Sequence, residues 1–141
     1  MVASVAGFSV ERSQQGGLDV FELLGELDSK VAAALEREVH EAIVRGATRL
    51  MFDLRGLSFI DSSGLQVLVR ALHRVWPVGG SVWVVGANAR TSRVFQITGL
   101  DRVFKVAATP EEAYRAVQIV VKPPRVRRSP ESIRGSAAPT P

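Results

Sequence analysis

The 141-residue sequence contains no cysteine, which excludes disulfides and thiolate metal sites at once. Histidine is almost as scarce. His40 and His73 are the only two, and no set of carboxylates around them has the spacing of a ligand cluster, so no metal or other cofactor is expected. Aromatic residues make up 6% of the chain, too few for the stacking platforms of a single-strand nucleic-acid binder. Trp76 and Trp83 are therefore read as packing residues. No apolar run reaches the ~18 residues of a membrane span. The opening stretch MVASVAGFSVERSQQGG lacks the basic and then apolar order of a secretory signal. A cytoplasmic protein with no membrane partner is expected.

An excess of charge is also missing from most of the chain. The net charge is +4, but residues 1–118 hold 13 basic and 13 acidic side chains. The excess lies in residues 119–141, where Lys122, Arg125, Arg127, Arg128 and Arg134 face only Glu131. A basic face for direct nucleic-acid binding is not supported by that distribution. The terminal stretch KPPRVRRSPESIRGSAAPTP is rich in Pro, Ser and Arg, and the composition predicts a disordered tail, because it offers little apolar surface to offset ordering entropy.

What remains has ordinary globular composition, with 46% hydrophobic and 23% charged residues. It reads as one domain over residues 8–118, with residues 1–7 as an N-terminal extension and 119–141 as the tail. FSVERS and LDVFELLG flank QQGG and predict a hairpin. Val31, Leu35, Val39, Ala42 and Ile43 recur at helical spacing, with Asp28 or Ser29 as candidate cap and Gly46 as stop. RLMFDL predicts a strand buried on both faces. A second helical stripe, Leu65, Leu68, Val69, Leu72 and Val75, ends near Trp76 because Pro77 disfavours helical geometry before it. SVWVVG predicts a strand, TSRVFQITG a helix closed by Gly99, and VFKV a short strand. TPEEAYRAV predicts a helix with Thr109 as cap, Pro110 first and Glu112 completing a capping box. The expected fold class is α/β, with a mixed sheet of four to five strands and about four helices joined by right-handed crossovers.

The informative seam is GLSFIDSSGLQVLV, from Gly56 to Val69. A strand ends at Phe59 or Ile60 and a helix begins near Ser63 or Gly64. Asp61, Ser62 and Ser63 are each able to cap it. The open backbone N–H groups and the dipole of a helix start receive an anion well, and Gly64 is expected to keep the turn accessible. The residues alone leave two readings open, a cap and an exposed hydroxyl that accepts a phosphoryl group, and they do not choose between Ser62 and Ser63. A serine hydrolase is a third reading. Its nucleophile elbow needs glycine two places before and after the serine, and neither Ser62 nor Ser63 has both.

The chain resembles the STAS family, specifically bacterial anti-sigma factor antagonists of the SpoIIAA type. The resemblance rests on GELD at Gly25–Asp28, FDLRGLSFIDSSGLQVLV at Phe52–Val69, QITGLDRVFKV at Gln96–Val106 and the following TPEEAYRAV. It covers Phe8 to Val117. It implies a partner-switching regulator of transcription without catalysis of its own. The unphosphorylated form would bind an anti-sigma factor with a GHKL-type serine kinase domain and so release a sigma factor. Phosphorylation would switch it off, and a PP2C-type phosphatase would reverse that. Carried over by position, the acceptor is Ser62, and Asp28, Asp61, Ser63 and Gly64 belong to the partner-binding surface. A STAS interaction module in another assembly, such as lipid transport or stress sensing, is the alternative within the family.

Overall fold

The computed structural model describes residues 2–121. The chain order is β1 (Val2–Val5), β2 (Phe8–Gln15), β3 (Leu18–Leu27), α1 (Ala32–Val44), β4 (Arg49–Ile60), α2 (Ser62–Val75), β5 (Ser81–Val85), α3 (Ala89–Thr98), β6 (Lys105–Ala107) and α4 (Pro110–Val121), with 3-10 turns at Trp76–Val78 and Leu100–Arg102. The strands form one sheet in chain order. β1, β2 and β3 pair antiparallel, and β3 to β6 pair in parallel. The mixed α/β architecture matches the expectation, with one strand beyond the upper expected number.

That extra strand comes from the stretch expected as an extension. Val2–Val5 pairs with β2 from Val2↔Glu11 to Val5↔Phe8. The two-residue loop between them has positive φ at Ala6 (51°) and Gly7 (79°), the hand that matches strand twist in a tight hairpin. Alanine rarely adopts this conformation, so nothing in the local sequence announced the turn. The next hairpin turns at Gly16-Gly17, where glycine accepts positive φ without steric cost. At the other end α4 runs three residues into the stretch read as tail; the rest, from Lys122, lies outside the described residues.

Side chains alternate through the sheet. Phe8, Val10, Phe21, Leu23, Leu50, Phe52, Val82 and Val84 belong to one buried cluster with α1, α2 and α3. Phe21 and Phe52 stack at 5.2 Å between centroids. Leu18, Val20, Met51 and Val85 pack on the other face under Ala113 and Val117 of α4. RLMFDL is buried on both sides because helices cover both, which is why it lacks alternation. Each buried Leu, Val or Phe side chain contributes about 1.5–3 kcal/mol relative to exposure. Trp83 joins the α4 cluster as expected of a packing residue, but Trp76 is 56% exposed. The 3-10 turn after α2 carries it past the core edge.

Two helix ends follow the sequence closely. Past α1, the Gly46 amide donates to Ile43 O and the Ala47 amide to Ala42 O, at 2.9 and 3.0 Å, a Schellman closure with Gly46 at φ 107°. At the start of α4, the Glu112 amide donates to Thr109 Oγ1 at 3.3 Å and Glu112 Oε1 accepts from the Ala108 amide at 3.1 Å. The start of α1 differs from expectation: its N-cap is Val31, without a side-chain cap. α3 starts earlier than expected, at Ala89, because Asn88 caps it by accepting from the Thr91 amide at 2.8 Å.

Candidate functional site

Parallel strands β3 and β4 finish side by side, in register Leu27↔Ile60. The next residues, Asp28 and Asp61, therefore leave the sheet together. The Asp61 amide donates to Leu27 O at 3.1 Å, tying the two exits. Asp61 is extended (φ −106°, ψ −174°), and its Oδ1 accepts from the Gly64 amide at 3.1 Å. Its carbonyl accepts from the Leu65 amide at 2.9 Å. That is the geometry of an N-cap, so the cap reading falls on Asp61 and not on either serine.

α2 consequently starts at Ser62, slightly earlier than expected. Ser62 is exposed and Ser63 half-buried. Within the described residues, the Ser62 hydroxyl has no protein partner, and the same holds for the amides of Ser62 and Ser63. Two open N–H groups at the positive end of a helix dipole form an anion-receptive corner. The capping carboxylate of Asp61 partly counters it.

Gly64 requires a correction. It is buried, not an open edge of the turn. A Cβ there would lie 2.5 Å from Leu27 Cγ and 2.9 Å from Leu27 O. The missing side chain lets α2 sit directly on the end of β3, and it does nothing to expose Ser62. Asp28 is corrected too. It does not act as the N-cap of α1; its Oδ1 accepts from the Lys30 amide at 3.0 Å, and its carbonyl accepts from Val31 and Ala32. This turn holds the half-buried Asp28 beside Asp61 at the same sheet end.

Other residues settle into structural places. Asp53 is 3% exposed and fully engaged by Arg55, through the backbone amide at 3.1 Å and guanidinium contacts down to 2.8 Å. That bond holds the Arg55 pKa above its usual value. His73 lies three turns along α2 from Ser62, about 16 Å along the axis, and His40 Nδ1 bonds Arg74 at that same far end at 2.9 Å. The structure brings neither histidine to a serine at the seam. Sequence reasoning missed Phe59 and Leu24, apolar side chains at the β3–β4 end that are 37% and 43% exposed. Their run of apolar neighbours gave no sign of which ones would face water. It also missed the support of this end by Ser58 Oγ, which donates to Gly25 O at 3.1 Å.

The family model described as STAS domain matches residues 9–113. The chain belongs to the STAS domain family. Its relatives include the anti-sigma-F factor antagonist RsfB of Mycobacterium tuberculosis, 31% identical over 112 residues, spanning 78% of this chain and 89% of that one. Among solved structures, this STAS domain is similar to an anti-sigma factor antagonist from Mycobacterium paratuberculosis, with TM-score 0.72, 28% identity and coverage of 79% and 94%. It is also similar to the Bacillus cell fate determinant SpoIIAA in its phosphorylated form, with TM-score 0.64, 28% identity and coverage of 77% and 98%.

Proposed function

We propose that this STAS protein is an anti-sigma factor antagonist whose binding is switched by phosphorylation of Ser62. The observation that carries the reading is the exposed Ser62 hydroxyl on the first residue of α2, beside Asp28 and Asp61, in a fold shared with a protein known in a phosphorylated form. The unphosphorylated chain binds an anti-sigma factor with a GHKL-type serine kinase domain through Asp28, Asp61, Ser62 and Ser63, with exposed Phe59 close by, and a sigma factor is released. The kinase transfers the γ-phosphoryl of ATP to Ser62 Oγ, leaving ADP and a proton. A PP2C-type phosphatase hydrolyses the ester and restores the hydroxyl. All catalysis belongs to these partners, and the setting is the cytoplasm. Among the described residues no helix is long and apolar enough to cross a membrane.

The switch follows from charge. A phosphoryl group brings about −1.5 to −2 at neutral pH and three strong acceptors. The fold tolerates it, since a negative group at a helix start is favourable by about 0.3–1 kcal/mol. The cost falls on the complex. Asp28 and Asp61 already make this end acidic, and a partner surface complementary to a neutral hydroxyl must desolvate a doubly charged ester between them. Each ~1.4 kcal/mol of that penalty is tenfold in affinity.

The test is phosphorylation in vitro with the cognate kinase and ATP, mapped by mass spectrometry. Phosphate on Ser62, absent from Ser62→Ala, is expected. Modification of Ser63 alone, or none with any kinase of the same cell, would refute the reading and favour a STAS module of another assembly.

A further inference from the structure

At the end of the sheet opposite Ser62, where β4 and β5 begin, a cavity of about 300 Å³ opens on the face covered by α4. It is lined by Arg49, Ser81, Trp83, Lys105, Val106 and Val117. Among the described residues, no carboxylate lines it. Arg49 and Lys105 also take part in no ion pair among those residues, unlike Arg12, Arg55 and Arg70. Trp83 is paired with Lys105 across the β5–β6 ladder, so an indole and an ammonium flank each other on one surface.

Two uncompensated cations over apolar walls are complementary to a ligand with one anionic head and an apolar body. We propose that this groove binds an amphipathic carboxylate or sulfonate on an acyl or aryl frame. The body lies along Trp83 and Val117, and the head is held by Lys105 with Arg49. The volume suits a small ligand. The site is separate from the Ser62 surface, and its occupation does not depend on the proposed switch.

The test uses the full chain with anilinonaphthalene sulfonate as fluorescent probe and dodecanoate, below its micellar concentration, as competitor. Saturable probe binding displaced one-for-one by dodecanoate is expected. Lys105→Glu and Arg49→Glu should each weaken both ligands tenfold or more, and Lys105→Met by less. Arg37→Glu, on α1, should change affinity less than twofold. Thermal unfolding of each variant separates loss of the groove from loss of the fold. Absence of saturable binding at millimolar ligand overturns the proposal, as does equal weakening by Arg37→Glu. Displacement by an acidic apolar peptide or phosphatidylglycerol vesicles, but not by dodecanoate, overturns it as well and assigns the groove to a macromolecular surface.

Discussion

Leu27 occupies the space that any side chain on residue 64 would need: a Cβ at Gly64 would stand 2.5 Å from Leu27 Cγ and 2.9 Å from its carbonyl oxygen. The same carbonyl accepts the Asp61 amide. One residue at the end of β3 thus fixes both the entry to α2 and the depth at which that helix sits, and Ser62 is positioned as a consequence. Gly64→Ala cannot be absorbed by side-chain rotation alone, because a backbone oxygen is among the atoms struck. It should destabilise by about 1–3 kcal/mol, the usual range for overpacking, seen as a lower denaturant midpoint. An unchanged midpoint would show that the β3 end yields freely.

Asp61 caps α2 through a single carboxylate oxygen. Asp61→Ala should cost about 1 kcal/mol, and Asp61→Asn, which keeps an acceptor, only a fraction of that. Chemical denaturation distinguishes the two. Equal losses would mean that the charge, not the cap, matters.

Ser62→Asp places a carboxylate where the proposed ester would sit, without a kinase. It should bind the anti-sigma factor at least tenfold more weakly than Ser62→Ala in calorimetry, at unchanged stability. Ser63→Asp, at a half-buried position, is expected to lower stability instead. Matching affinities for the two Ser62 variants would remove charge as the switch.

Arg55 supplies the side-chain partner of buried Asp53. Arg55→Ala leaves that carboxylate with the backbone amide alone, and a loss of about 1–3 kcal/mol is expected. The loss should shrink in an Asp53→Asn background, a coupling that a double-mutant cycle measures. Additive losses would contradict the pairing.

Tyr114 is the only tyrosine, so phenolate absorbance reports it directly. Burial first, then the nearby negative charge of Glu111, raises its pKa above the ordinary 10.0. Below that value folded and unfolded chains both hold the proton, and stability is unaffected by this group. Above it the unfolded chain ionises first, so stability falls until the folded phenol ionises as well. The unfolding temperature should therefore drop above about pH 10, and less steeply in Tyr114→Phe. Parallel curves for the two proteins would refute the coupling.

The legible parts of the chain were those governed by local rules. Thr109, Pro110 and Glu112 mark a helix start through contacts within four residues. Gly16-Gly17 and Gly46 mark turns through backbone freedom. The helical stripe of α2 and the run RLMFDL declared what they would bury. The quoted STAS motifs carried the family. β1 was not legible, because VASV becomes a strand only when β2 lies beside it. Gly64 misled, since a glycine that opens a loop and one that admits a neighbour are the same letter; Leu27, thirty-seven positions away, decides between them.

The sequence by itself determined the α/β class, most elements, the family and the short stretch that holds the candidate hydroxyl, because periodicity, capping and turn chemistry act over a few residues. Tertiary structure alone decided that Asp61 is the cap and Ser62 the outward hydroxyl, that Asp28 stands beside them, and that Arg49 and Lys105 flank an apolar cavity at the far end. Those are facts of register between parallel strands, and register is set by packing of residues far apart in the chain.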